Sequence, residues 1–372
     1  MKRLVLLGGG HSHVEVLRRF GREPIPGVEL VLVSPYPDSP YSGMLPGWIA
    51  GHYARDECHI DLVRLTGFAN CRFVQSACNG INPEARLVFC ENGMTLAYDV
   101  VSVDTGAGSP AFDTPGAPEH ALPVKPVEYF VPAWEEICKR TVNGQAPHGI
   151  AVVGGGAAGV EVLLALQNRL RRLAPASAIG FELISDTESI LVAHNTKVHR
   201  VFMRVLQSRG VTLHLGRAVE RVDSGRLRLR GGGSAEADVI VWATGASAPL
   251  WPRSVGLATD KRGFILVNER LQSVSHPQVF AAGDIAGVKD HPRPKSGVYA
   301  VRAGPPLAEN LRRIMRGDKL IEWKPQKEAL ALISTGDRYA VASRGNVTLE
   351  GKWVWRWKDW IDRRFVRRYR LT

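Results

Sequence analysis

The sequence predicts an α/β architecture in which two similar strand, turn and helix units are followed by a small β-meander and an amphipathic terminal helix. Three observations carry this. Residues 4–17, LVLLGGGHSHVEVL, set four apolar residues directly before three glycines and an amphipathic helix start. Residues 150–164, IAVVGGGAAGVEVLL, repeat the pattern. Residues 99–106, DVVSVDTG, are matched by residues 238–245, DVIVWATG, each at a similar distance downstream of its glycine motif. An internal duplication is the simplest account of the shared order and offset.

An unbroken apolar run suits a strand buried on both faces of a parallel sheet. The glycines after it let the chain turn at once into a helix. They leave N–H groups and the positive end of the helix dipole facing outward, and keep side chains away from a phosphate. The units are therefore Rossmann-like, and their candidate cofactor contacts are Gly8, Gly9, Gly10 and His11 in the first and Gly154, Gly156 and Gly159 in the second. The second unit fills all three glycine positions of the dinucleotide fingerprint. The first has His13 at the third, which predicts a helix set slightly further from its strand.

The end of the second strand in such a unit usually carries an acid for the ribose hydroxyls. Here Ser34 holds that place in the first unit, and Ser185, followed by Asp186, in the second. With no arginine next to Ser185 in sequence to meet a 2′-phosphate, NADH is favoured over NADPH. Residues 34–47, SPYPDSPYSGMLPG, read as an ordered loop lying along a ligand, and contribute Ser42. The strand ends add Thr105, Gly106, Thr244 and Gly245. Residues 279–284, VFAAGD, finish a buried strand with Gly283 and with Asp284 placed to accept hydrogen bonds from sugar hydroxyls. Lys295 and Ser296 then open a helix whose N-terminus suits a ring that becomes anionic on reduction.

Of 372 residues, 45% are hydrophobic and 23% charged, the balance of a globular chain. The apolar runs are strand-sized, too short for a membrane span, and the run after Arg3 is too short for a signal peptide. The expected location is cytoplasmic, with peripheral attachment to the inner face of a membrane. Five cysteines show neither a C-x-x-C pair nor metal spacing, so reduced structural thiols and no metal are expected. Half of the +12 net charge falls in residues 352–372, and the mildly basic body argues against a nucleic-acid partner.

Taken in order, the two glycine motifs, the two Thr-Gly strands and VFAAGD resemble the two-dinucleotide-binding-domain flavoproteins of the pyridine nucleotide–disulfide oxidoreductase superfamily. The resemblance implies a discontinuous FAD domain, residues 1–113 and 246–325, with an NAD(P)H domain, residues 114–245, inserted, and residues 326–372 as a C-terminal appendage. It implies FAD on Gly8, Gly10 and Ser34, with Asp284 at the ribityl and pyrophosphate region and Lys295 and Ser296 near the flavin pyrimidine edge. NADH or NADPH falls to Gly154, Gly156, Gly159, Ser185 and Gly245, with Glu161 bordering both rings; Glu161 and Lys295 are the candidate catalytic residues. The cysteine pair of the disulfide reductases is missing, which argues against disulfide reduction. Within the superfamily the chain resembles the type II NADH dehydrogenase and sulfide:quinone oxidoreductase branch. GGGHSHVEVLRRF, PYSGMLPG and the tryptophan-rich end resemble the flavoprotein module found fused to selenide, water dikinase. The expected function is FAD-dependent NAD(P)H:acceptor oxidoreduction with a quinone-like acceptor. The alternatives are a sulfide or selenide:quinone oxidoreductase, which the lack of cysteines after Cys138 disfavours, or an accessory module of selenium metabolism partnering the dikinase.

At the end of the chain, residues 330–334, 339–343 and 347–349 read as a meander turned at Gly336-Asp337 and Gly345-Asn346. Beyond it Trp353, Trp357, Trp360, Ile361, Phe365 and Tyr369 fall on one helical face, with Arg356, Lys358, Arg363, Arg364, Arg367 and Arg370 mostly off it. Such a helix fits an anionic membrane surface. Its alternative seats are the protein's own core or a homodimer mate.

Overall fold

A computed structural model describes residues 1–109 and 113–371. Residues 110–112, within the proline-rich linker expected over residues 109–126 and at the edge of the first expected domain, lie outside the described residues.

Two five-stranded parallel sheets carry the chain. The first runs, edge to edge, Val279–Ala281, Val100–Val103, Lys2–Leu7, Val28–Ser34 and Arg72–Gln75. The second runs Leu122–Pro123, Val239–Trp242, Gly149–Val153, Gly180–Ile184 and Thr212–His214. In both, the strand before the glycines is central, with the second strand on one side and the Thr-Gly strand on the other. The apolar runs are buried on both faces, as a parallel sheet covered by helices requires: Leu4, Val5, Leu6, Leu7, Ile150 and Val152 are fully inaccessible. The first sheet gains its last strand, Val279–Ala281, only after the second sheet has been laid down.

The Thr-Gly strands lead to the feature that positions the site. Gly108 and Ser247, just beyond them, exchange backbone hydrogen bonds of 2.9 and 3.1 Å. The carboxyl ends of the two sheets therefore open on one seam.

His13 fills space that a glycine closes in the second unit. A Cβ on Gly159 would collide with the Gly154 carbonyl, whereas the imidazole of His13 spans the equivalent gap in the first unit. Its Nδ1 donates to Gly8 O at 2.6 Å and its Nε2 accepts from the Ser102 hydroxyl at 2.8 Å. The tautomer follows from the carbonyl, which only accepts. Burial keeps the ring neutral, lowering its pKa to about 4. The internal duplicate has Gly159 and Val241 at these two positions, with no polar pair to satisfy.

The terminal helix, Lys352–Arg367, does not present the face that its spacing predicts. Phe365 and Tyr369 are buried, but Trp353 and Trp360 are 53% and 57% exposed, and Lys358 of the cationic side is buried. The physical reason is a set of long-range partners. Lys358 Nζ bonds Gly43 O at 2.6 Å and Asp362 at 2.7 Å, Phe365 stacks on Tyr41 at 4.3 Å, and the Tyr369 hydroxyl donates to Glu15 at 3.0 Å. One face docks on the protein's own body and the tryptophans stay outside. Among the described residues no helix is long and apolar enough to cross a membrane.

His13→Ala strands the Gly8 carbonyl and Ser102 hydroxyl in a new cavity, and is expected to cost about 2 kcal/mol or more in urea unfolding. A loss below about 0.5 kcal/mol would show that the pair is idle.

Candidate functional site

Glycine is required at the first turn for two reasons. Gly8 has φ +89°, and a Cβ there would stand 2.5 Å from Asp104 O. The helix that follows, His11–Arg22, begins on Gly10 and lacks a capping side chain of its own. Asp104 supplies the cap from the neighbouring strand, accepting from the N–H groups of Ser12 at 2.8 Å and His13 at 3.1 Å. Its carboxylate fills the space beside Gly10 so closely that a Cβ on Gly10, or on Gly283, would collide with it. Burial pushes this carboxyl up to about 7 against those two hydrogen bonds, with the neighbouring Asp284 adding to the rise. Sequence reasoning missed Asp104; the available signal was a charged residue where the duplicate has Ala243.

Asp284 Oδ2 pairs with Lys125 Nζ at 2.8 Å. Lys125 was also missed, lying in the crossover segment that sequence reading treats as linker. His11 packs beside the stacked Tyr41 and Phe365 rings, with centroids 5.4 and 6.1 Å away, and its Nε2 is buried without a partner among the described residues. Burial lowers its pKa to about 4. A glycine cradle with no room for a Cβ and an orphaned ring nitrogen at its mouth fit a phosphate-bearing, polar ligand such as FAD.

The remaining first-unit candidates divide. Ser34 is buried and donates to Tyr36 O at 3.1 Å. Gly106, φ +76°, follows Thr105 and carries the chain toward the seam. Ser42 Oγ lies 2.9 Å from where a Cβ on Gly297 would stand, next to Ser296 at the start of the Gly297–Arg316 helix. Lys295 Nζ donates to Ala286 O at 2.5 Å and sits 3.8 Å from the Phe264 ring centroid. Burial draws it down to about 8. Asp284, Lys295, Ser296 and Trp323 line a common cavity of about 50 Å³.

The second cradle is built alike but uncapped. A Cβ on Gly154 would meet Ala243 at 2.8 Å, and the Ala157–Leu173 helix starts on Gly156 with no acid at the Ala243 position. Ser185 Oγ bonds Thr187 Oγ1 at 2.8 Å and crowds Gly155. No arginine adjoins Ser185 in sequence, yet the Arg217 N–H donates to Ser185 O at 2.8 Å. Its guanidinium turns instead to Gly232 O at 3.1 Å. Thr244 Oγ1 accepts from Trp242 Nε1 at 2.7 Å, next to Gly245.

Glu161 joins the cradles to the C-terminal appendage. Its Oε1 accepts from Ser334 N at 2.7 Å, and burial pushes its pKa up to about 7 while Lys358 opposes the shift. Lys358 in turn holds Asp362, which accepts from the Tyr41 hydroxyl. A buried chain of polar groups thus runs from the second unit's helix, through the terminal helix, to the loop of the first unit. A carboxyl with a raised pKa favours the fold while protonated, and that advantage is lost as pH rises from the ordinary carboxylate range through about 7. The melting temperature of the wild type, relative to Glu161→Gln, is therefore expected to fall from pH 5 to pH 7 and level above it. A constant difference would contradict the assignment.

Residues 2–304 match the family described as pyridine nucleotide-disulphide oxidoreductase. An NADH dehydrogenase-like protein of Bacillus subtilis is 22% identical over 331 residues, covering 88% of this chain and 87% of that protein. The sulfide:quinone oxidoreductase of Aquifex aeolicus superposes with a TM-score of 0.81 at 18% identity, over 100% of this chain and 92% of that one. NDH2 of Plasmodium falciparum superposes at 0.80 with 15% identity, over 98% of each chain. With both cradles in place, the protein belongs to the pyridine nucleotide-disulphide oxidoreductase family and is an FAD-dependent oxidoreductase using NAD(P)H.

Proposed function

We propose that the protein is an NAD(P)H:quinone-type oxidoreductase that works from a membrane surface. The observation that carries this is the reciprocal pairing of Gly108 with Ser247, which turns both cradles toward one seam. FAD, when bound, supplies the two-electron chemistry between nicotinamide and acceptor. The first cradle, Gly8 to His11, binds its pyrophosphate, and Asp284 takes its sugar hydroxyls. Lys295 and Ser296 stand near its ring. The second cradle, with Ser185, Thr244 and Gly245, holds the nicotinamide nucleotide, NADH before NADPH because the guanidinium of Arg217, the arginine bonded to Ser185 through its backbone, is taken by Gly232 O.

Quinone reduction consumes protons, and Glu161 is built to keep one near neutral pH. The Ser334 N–H orients it, and Lys358 opposes the rise of its pKa. The thiols are poorly suited to sulfur chemistry. Burial raises all five, with Cys58 and Cys71 pushed up to about 12, so they are not nucleophiles at neutral pH. This favours a quinone over a disulfide substrate or a sulfide donor.

The membrane reading rests on what the docked helix leaves outside. Trp353 and Trp360 are exposed, as are Val347 and Leu349 on the preceding strand and Arg356, Arg364 and Arg367 of the helix, with the Arg364 guanidinium over the Trp360 ring. Aromatic residues among cations suit the boundary of an anionic bilayer, where each basic residue contributes about 1 kcal/mol.

Anaerobic NADH is expected to bleach the flavin equally in the wild type and in a chain with all five cysteines replaced by serine. A quinone carried in anionic vesicles then restores the colour, at least fivefold more slowly in Trp353→Ala/Trp360→Ala. Loss of bleaching in the cysteine-free chain would return the reaction to sulfur chemistry, and equal reoxidation of the double variant would remove the membrane contact.

A further inference from the structure

The two cradles differ in one respect that the duplication makes plain. In the second, the helix start faces Ala243 and is open to an anion. In the first, the corresponding Asp104 already occupies the helix start, bonded to the N–H groups of Ser12 and His13 and filling the space beside Gly10 and Gly283. A second carboxylate, Asp284, follows Gly283 in the chain and adds to the rise of the Asp104 carboxyl. A pyrophosphate carries two negative charges and approaches the same helix end, so an ionised Asp104 would be a third anionic group in a water-poor pocket.

The surroundings offer little relief. His13 is neutral, its Nδ1 proton committed to Gly8 O. His11 is neutral as well. Lys125 pairs with Asp284 rather than Asp104, and Lys295 bonds Ala286 O. From the Gly297–Arg316 helix, Ala300 bonds Ser12 but brings no charge.

We propose that Asp104 couples flavin nucleotide capture to protonation of its own carboxyl group, so that FAD binding takes up a proton. The balance is one carboxylate and one solvent proton giving one carboxylic acid, with no bond to the cofactor made or broken. The acid still accepts from Ser12 and His13 through one oxygen, so the helix cap survives while the charge is removed. Asp104 is thus a positioning residue with a built-in charge control. The inference rests on reading the first cradle as the FAD site, and burial that lifts the free carboxyl to about 7 sets its pH window.

The test is FAD dissociation from the loaded full chain, read by flavin fluorescence on dilution between pH 6 and pH 9, in the wild type and Asp104→Asn. The expected wild-type dissociation constant is flat below pH 7 and rises toward tenfold per unit above it. Asp104→Asn keeps an acceptor for the two N–H groups and is expected to be flat within threefold and tighter than the wild type at pH 8.5. Should that variant fail to fold, calorimetric FAD binding to the wild type in two buffers of different ionisation enthalpy decides: uptake near one proton per FAD at pH 8 and near none at pH 6. A flat wild-type profile, no proton uptake at pH 8, or a slope surviving in Asp104→Asn, which would assign it to a group such as Lys295, overturns the inference. Absence of FAD binding at every pH in both proteins would instead overturn the flavin reading beneath it.

Discussion

Everything in this molecule follows from how closely each glycine turn approaches the strand beside it. At Gly8 a side chain would strike the backbone of Asp104 and Thr105, and at Gly154 that of Ala243 and Thr244. Both turns are thereby held against the ends of their Thr-Gly strands, where Gly108 and Ser247 tie the two units together. Two helix starts, the first capped by Asp104 and the second open, are brought to a shared opening, the arrangement that transfer between two dinucleotides requires. Small residues set the geometry of the site and the larger polar ones are fitted to it.

The terminal helix completes the opening at a cost. Lys358 and Asp362 are charges removed from water, and burying such a pair stabilises a fold only when its remaining donors and acceptors are met. They are met by groups from distant parts of the chain, Gly43 O and the Tyr41 hydroxyl, with Glu161 close by. This ties the appendage to both units and makes it part of the site. It also explains why the tryptophans remain outside: the inward face is taken by ionic and aromatic contacts to Glu15, Tyr41 and Gly43.

The sheets, the glycine turns and the C-terminal meander were legible because each is written locally, as apolar runs, turn residues and period. The duplication made the architecture readable twice over. Asp104, Lys125 and the inward role of Lys358 were not, because each acts across the chain. Lys125 meets Asp284 from 159 residues away and Lys358 meets Gly43 from 315. Hydrophobic period alone cannot distinguish a lysine at a membrane surface from one buried in an ion pair. Arg217 shows the same limit on a smaller scale: a backbone hydrogen bond just past the paired strands sets it beside Ser185, with no sequence neighbourhood to announce it.

The chemistry of the site depends on FAD in the first cradle. That occupancy is tested most directly by denaturing the purified full chain and identifying the small molecule released. The protein is expected to be yellow and to yield about one equivalent of non-covalent FAD per chain. A colourless chain that yields no flavin and takes up none when FAD is added would contradict it.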